Sequence, residues 1–177
     1  MRQNKKPKKK SKKSSRTARM ISLRLPYIIR DSRERDGYNF RKTVSCAGMK
    51  VKKLDYGDYT LEGLEDYVII ERKNSIDELC SCLGKQRDRF MRELDRMDHV
   101  KYKFIIVEGY WSDIYKRHRF TRMHPNAILG NLFSIMMRRG IHIIFGGTKK
   151  RAQQFVRWIL RKAYKYWLED QNGNNQA

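Results

Sequence analysis

Short apolar runs broken by charged stretches fill the first half of the chain, and helix-spaced apolar residues dominate the second. Pro26-Tyr27-Ile28-Ile29, ending at Asp31-Ser32-Arg33-Glu34, predicts a first strand. Met49 to Leu54 and Tyr59 to Glu62 predict two more. The clearest strand is Tyr67-Val68-Ile69-Ile70-Glu71-Arg72-Lys73, β-branched and apolar up to its charged end. Ser75-Ile76-Asp77-Glu78 fits the S-x-x-E capping box, and Ile76, Leu79, Leu83, Phe90, Leu94 and Met97 follow at helical spacing, predicting one helix. Phe104 to Val107 reads as a buried strand. Pro125 opens a helix with Ile128, Leu129, Leu132, Phe133 and Met136 on one face, stopped by Gly140. Ile141 to Phe145 is a last strand, and Thr148 caps a final helix through Trp167. That helix carries Phe155, Trp158, Ile159, Tyr166 and Trp167, enough apolar circumference to pack on two sides. Strands and helices in this order predict an α/β sandwich around a mixed sheet.

With 177 residues, 40% of them hydrophobic, the chain can bury one substantial core. The expected organisation is a disordered basic tail over 1–20, one domain over 21–168 and a polar, frayed end over 169–177. The tail holds ten Lys or Arg between positions 2 and 19 and no acid, a composition that stays unfolded and tethers to nucleic acid through counterion release. Within it, Pro7-Lys8-Lys9-Lys10 would serve as a nuclear import signal in a nucleated cell. A formal charge of +22 favours a polyanionic partner, nucleic acid or an acidic membrane surface. Cys46, Cys80 and Cys82 form no Cys-x-x-Cys pair and suggest a reducing compartment. No apolar run approaches the roughly 18 residues of a membrane span. The expected location is cytoplasmic, or nuclear in a eukaryotic source, with no membrane partner.

The hairpin register carries the chemistry. Pairing Glu62 with Tyr67 across a four-residue loop, Gly63 to Asp66, makes Asp58 face Glu71. Opposed residues have Cβ atoms about 4.5–5.5 Å apart, and Lys73 projects from the same face as Glu71. Two carboxylates about 4 Å apart repel by roughly 4 kcal/mol at an effective dielectric near 20. A positive group should therefore sit between them. Lys73 supplies part of it, and a hard cation such as Mg²⁺ supplies it better. Lys73 could then orient or deprotonate a water, or stabilise charge on a phosphate.

Asp31-Ser32-Arg33-Glu34, Gly57-Asp58-Tyr59, Val68-Ile69-Ile70-Glu71-Arg72-Lys73 and Asp77 resemble, in order and spacing, the XPF-type nuclease family with its Glu-Arg-Lys-x-x-x-Asp signature. The similarity runs from about Pro26 to the last helix and is closest to stand-alone bacterial and phage versions. It implies a restriction-endonuclease-like fold and Mg²⁺-dependent hydrolysis of DNA phosphodiesters, with Mn²⁺ able to substitute, usually at branched, forked or flapped DNA. It also implies roles in repair, recombination or replication. By resemblance, Asp31, Glu34, Asp58 and Glu71 are metal-site carboxylates, Lys73 is the catalytic lysine, and Arg72 and Asp77 support them. A homodimer is a further implied partner. The chain is too short to include the tandem helix-hairpin-helix module of many relatives. A catalytically silent DNA-binding subunit of the same fold is the competing reading.

Arg33, Arg87, Lys149, Lys150 and Arg151 are expected to touch DNA. Arg87 interrupts the apolar stripe between Leu83 and Phe90, consistent with a cleft-facing arginine on phosphate or with a buried ion pair. Lys149 to Arg151 crowd the first turn of a helix, where acids are preferred; a bound phosphate would relieve the conflict, or the cluster is an ordinary solvated, slightly unfavourable surface. Arg117, Arg119 and Arg122 with Tyr115 and Phe120 suit unpaired nucleotides, or a basic loop packing its rings on the core. The four histidines show no ligand spacing, and His142 is expected in the core.

Overall fold

The computed structural model describes residues 24–118 and 122–174. Six strands form one sheet: β1 (Ile28–Asp31), β2 (Met49–Lys52), β3 (Tyr59–Leu61), β4 (Val68–Lys73), β5 (Tyr102–Val107) and β6 (Ile141–Phe145). Their order is β2-β1-β3-β4-β5-β6. β1 runs parallel to β2, and β4, β5 and β6 are mutually parallel, while β3 is antiparallel to both neighbours. The helices are α1 (Ile76–Leu83), α2 (Arg87–Asp95), α3 (Pro125–Arg139) and α4 (Lys149–Asn174), with a 3-10 turn at Trp111–Tyr115. This is the expected mixed α/β sheet.

Helices α1, α2 and α3 cover one face of the sheet and α4 the other, and the side chains of the central strands divide accordingly. On β4, Ile69 packs with Leu79, Phe90 and Leu132, whereas Val68 and Ile70 pack with Val156 and Leu160. On β5, Ile105 and Val107 take the first side and Ile106 the second, as the period-two rule requires. Each fully buried aliphatic or Phe side chain contributes about 1.5–3 kcal/mol relative to exposure. Burial on both faces therefore fixes the charged end of β4 firmly.

The element between β4 and β5 departs from expectation. It is two helices, broken at Gly84, whose backbone (φ −110°, ψ −101°) is not helical. Leu83 and Phe90 are seven residues apart, a separation that keeps helical phase across the break, so the stripe reads as continuous. The capping box forms in altered shape: Ser75 Oγ accepts from Glu78 N, while Glu78 Oε2 accepts from Asn74 N.

Helix α4 also continues past the expected end at Trp167, because Asp170 is anchored by Tyr67 Oη at 2.7 Å and Lys101 Nζ at 2.6 Å. It packs on one side, through Ala152, Val156, Leu160 and Ala163, leaving Trp158 57% exposed. His142 is exposed on edge strand β6 with its ring 5.1 Å from Phe104, not in the core. Gly140, at φ 61°, ends α3 in the left-handed cap its position predicts. The basic tail over 1–20 lies outside the described residues, as do Arg119 and Phe120. Among the described residues no helix is long and apolar enough to cross a membrane.

Candidate active site

Tyr59 pairs with Ile70, and Asp58 N donates to Ile70 O at 2.9 Å, so the hairpin has the expected register and places Asp58 opposite Glu71. On the other side of β3, Arg30 pairs with Tyr59 and Asp31 N donates to Asp58 O at 2.9 Å. Asp31, Asp58 and Glu71 thus occupy one row across β1, β3 and β4. Gly57 makes the approach possible: its φ is +66°, and a Cβ there would strike the Ile69 side chain.

Glu71 and Lys73 are both buried on the α2 side of the sheet, with Lys73 Nζ 2.7 Å from Glu71 Oε1 and 4.7 Å above the Phe90 ring. Burial pushes the Lys73 ammonium pKa down, but the adjacent Glu71 outweighs it and holds the group above the ordinary lysine range. Lys73 is therefore a fixed cation here, suited to orienting a water or a phosphate oxygen. Asp58 moves the other way. Burial first, and the Glu71 charge second, raise its pKa well above the usual carboxylate range, although Arg72 N donates to its Oδ2 at 2.7 Å. These groups line a cleft of about 240 Å³, together with Glu78, Glu93, Arg89 and Arg96.

Arg72, between Glu71 and Lys73 in the sequence, sends its guanidinium toward Tyr38 on the other side of β4, and both it and its partner Glu34 also reach the wall of the cleft. Its Nε donates to Glu108 Oε1 at 2.7 Å and its Nη1 to Glu34 Oε1 at 2.8 Å, and its guanidinium lies 5.0 Å from the Tyr38 ring centroid. The motif arginine is thus a buried clamp that joins β4, β5 and the loop after β1. Burial raises the Glu34 pKa, and Arg72 only partly offsets this.

The remaining sequence expectations are met unevenly. The Asp31 carboxylate is 1% exposed and takes four donors: Arg33 N, Nε and Nη2, and Leu54 N. Burial pushes its pKa up, but these hydrogen bonds prevail and hold it low. Asp31 lies in the row, yet its oxygens are occupied and it does not line the cleft. Arg33, expected on DNA, instead closes on Asp31 and Leu54 O, although it does line the cleft.

Asp77 does not line the cleft either; its Oδ1 lies 3.2 Å from His118 Nδ1. Arg87 is exposed and donates to Asn131 Oδ1 at 2.6 Å, neither cleft-facing nor buried, because α2 begins at that residue. Lys149 Nζ lies 2.7 Å from Asp36 Oδ2 at the start of α4, while Lys150 and Arg151 are exposed. Sequence reasoning missed Glu108, although its place just after the Ile-Ile-Val run of β5, beside the end of β4, marks it. It also missed Arg89 and Arg96, which α2 turns toward the cleft.

Among the described residues no group of three or more His, Cys, Asp or Glu side chains is arranged to hold a metal. Asp58 and Glu71 nevertheless fit one in donor chemistry. They are paired oxygen donors, Asp58 made protonation-prone by burial and then by the Glu71 charge, and a hard divalent cation that retains waters satisfies such a pair.

A model of the ERCC4 domain matches residues 30–161. The chain belongs to the ERCC4 domain family, the XPF-type nuclease domains. This ERCC4 domain is 32% identical over 144 residues to protein MJ1505 of Methanocaldococcus jannaschii, whose assigned name is that of an ATP-dependent RNA helicase. The match takes in 81% of the chain and only 16% of that protein. Two structures of XPF from Aeropyrum pernix, one in complex with DNA, superpose on the domain with a TM-score of 0.61 each. They are 23% and 24% identical and match 78% and 79% of the chain, which spans 61% and 66% of their own lengths. That likeness establishes the XPF-type, restriction-endonuclease-like fold.

Proposed function

We propose that this ERCC4 domain is a Mg²⁺- or Mn²⁺-dependent endonuclease that hydrolyses phosphodiesters in branched, forked or flapped DNA. The observation that carries the reading is the opposition of Asp58 and Glu71 in one cleft, with Lys73 fixed on Glu71 at 2.7 Å. A bound divalent ion would polarise a phosphate oxygen and acidify the attacking water. Asp58 and Glu71 would hold such an ion. Lys73, kept cationic, orients the water and balances charge building on the phosphate. Arg72 holds the ends of β4 and β5 in line from behind. The charge of +22 and the DNA complex of the Aeropyrum XPF support DNA as the polyanion. The exposed Trp158 on α4 supports a second copy of the chain as a further partner.

A catalytically silent DNA-binding subunit is the second reading. The observation on its side is that Arg33 and Leu54 saturate Asp31, the third carboxylate of the row. The two separate in one assay. End-labelled single strand, duplex, fork, flap and four-way junction are incubated with Mg²⁺, Mn²⁺ or EDTA, using wild type, Glu71→Gln and Lys73→Ala. Metal-dependent cutting of forks or flaps, lost in both variants while binding persists, is the expected result. Binding by the wild type without cutting under any metal would hand the assignment to the silent subunit.

A further inference from the structure

A groove of about 1190 Å³ shares the α1–α2 corner with the cleft: Gly84 and Lys85 line the groove, and the next residue, Gln86, lines the cleft. The opposite wall is lined by Tyr115 to His118, at the end of the 3-10 turn, and by Arg122 to Pro125, at the start of α3. The two concavities differ in sign. The cleft is lined by five carboxylates interleaved with cations, whereas Lys85, Lys116, Arg117 and Arg122 face the groove and, among the described residues, no carboxylate does. Lys116 reaches Asp113 at 2.6 Å, a surface pair that holds weakly and that a phosphate can replace. The groove also carries Tyr115, 59% exposed, whose ring is free to stack.

Its wall is braced by the signature motif itself. Asp77, which the cleft does not use, lies 3.2 Å from His118 Nδ1, and His118 Nε2 lies 3.1 Å from Ile114 O. One motif thus serves both sites: Glu71 and Lys73 in the cleft, and Asp77 behind the groove.

Cations without acids select a phosphate chain, and an exposed aromatic among them selects unpaired bases, which offer a face that a duplex hides. We propose that this groove binds a single-stranded arm of the substrate, its phosphates along Lys85, Lys116, Arg117 and Arg122 and a base on Tyr115, so that the strand crosses the α1–α2 corner between groove and cleft. The inference rests on the nuclease reading only for the identity of the substrate.

The test is fluorescence anisotropy of labelled oligothymidylate and of a blunt duplex across a KCl series in EDTA, with the full chain. Lys85→Ala/Arg117→Ala/Arg122→Ala alters only exposed side chains. It should flatten the slope of log affinity against log salt on the single strand by about 2, at roughly 0.7 per lost phosphate contact, and weaken binding at moderate salt about tenfold. Tyr115→Ala should weaken single-strand binding and spare the duplex. A control, Arg138→Ala/Arg161→Ala/Lys162→Ala, removes the same charge elsewhere and should change the slope less.

A groove variant indistinguishable from the control overturns the proposal, as does equal loss on single strand and duplex. Because the assay excludes metal, it is independent of the cleavage panel. Groove binding in a protein that never cuts would remove the nuclease reading and leave this one standing; cutting with no groove effect would do the reverse.

Discussion

Arg33 Nε lies 2.8 Å from Asp31 Oδ1 and Arg33 Nη2 lies 3.2 Å from Asp31 Oδ2, so a side chain that is 62% exposed seals a carboxylate that is 1% exposed. The exposed partner is the replaceable one. Arg33→Gln should return oxygens of Asp31 to the row with Asp58 and Glu71 and tighten Mn²⁺ binding several-fold, as read by calorimetry without DNA. An unchanged Kd would make Asp31 an architectural residue.

Asp58 carries the pH prediction. Its folded pKa is raised, chiefly by burial and then by Glu71. The folded state therefore binds this proton more tightly than the unfolded chain, and stability present at low pH is lost as pH climbs from the ordinary carboxylate range through the raised value. In EDTA, Asp58→Asn should raise Tm at neutral pH and flatten that decline, since an amide oxygen can still accept from Arg72 N. A Tm lowered at neutral pH would contradict the assignment.

Arg72 has the largest expected effect on folding. Removing it strands Glu34 and Glu108, and breaking a buried ion pair on one side costs about 3–5 kcal/mol. Urea unfolding of Arg72→Ala should show a loss of that order. Arg72→Lys should recover only part of it, because one ammonium cannot reproduce a guanidinium's separate Nε and Nη1 bonds. Full recovery by lysine would reduce the clamp to simple charge.

Gly57→Ala tests the turn. Overpacking against Ile69 costs about 1–3 kcal/mol, and the positive φ adds about 1–2 kcal/mol. Denaturation should register this destabilisation, and the loss of cutting should exceed the loss of folded protein, because Asp58 moves with the turn. A variant with wild-type stability would show that the strand ends accommodate a Cβ.

What the sequence displayed best was the hairpin. A short loop between two strands admits few registers, and the arithmetic from Glu62 and Tyr67 places Asp58 across from Glu71 as the ladder does. The boundaries of β6 and the cap at Gly140 were equally readable, each marked by residue chemistry at a fixed position. What stayed hidden depended on contacts distant in sequence. The four donors on Asp31 include Leu54, and Glu108 reaches Arg72 across 36 positions. Asp77 pairs with His118, 41 residues on. No local pattern encodes such choices. The break at Gly84 escaped for the opposite reason, since apolar spacing continued undisturbed across it.

The division of Glu71, Arg72 and Lys73 between the two faces of β4 makes the three-letter motif a frame-sensitive message. A single residue inserted into β4 upstream of Glu71 would turn the arginine into the cleft and drive the glutamate and lysine against Tyr38 and Glu34, with every side chain still present. The lining of the cleft and the alignment of the strands are therefore specified by the same backbone phase, and a bulge at this strand would abolish both at once without altering a letter of the signature.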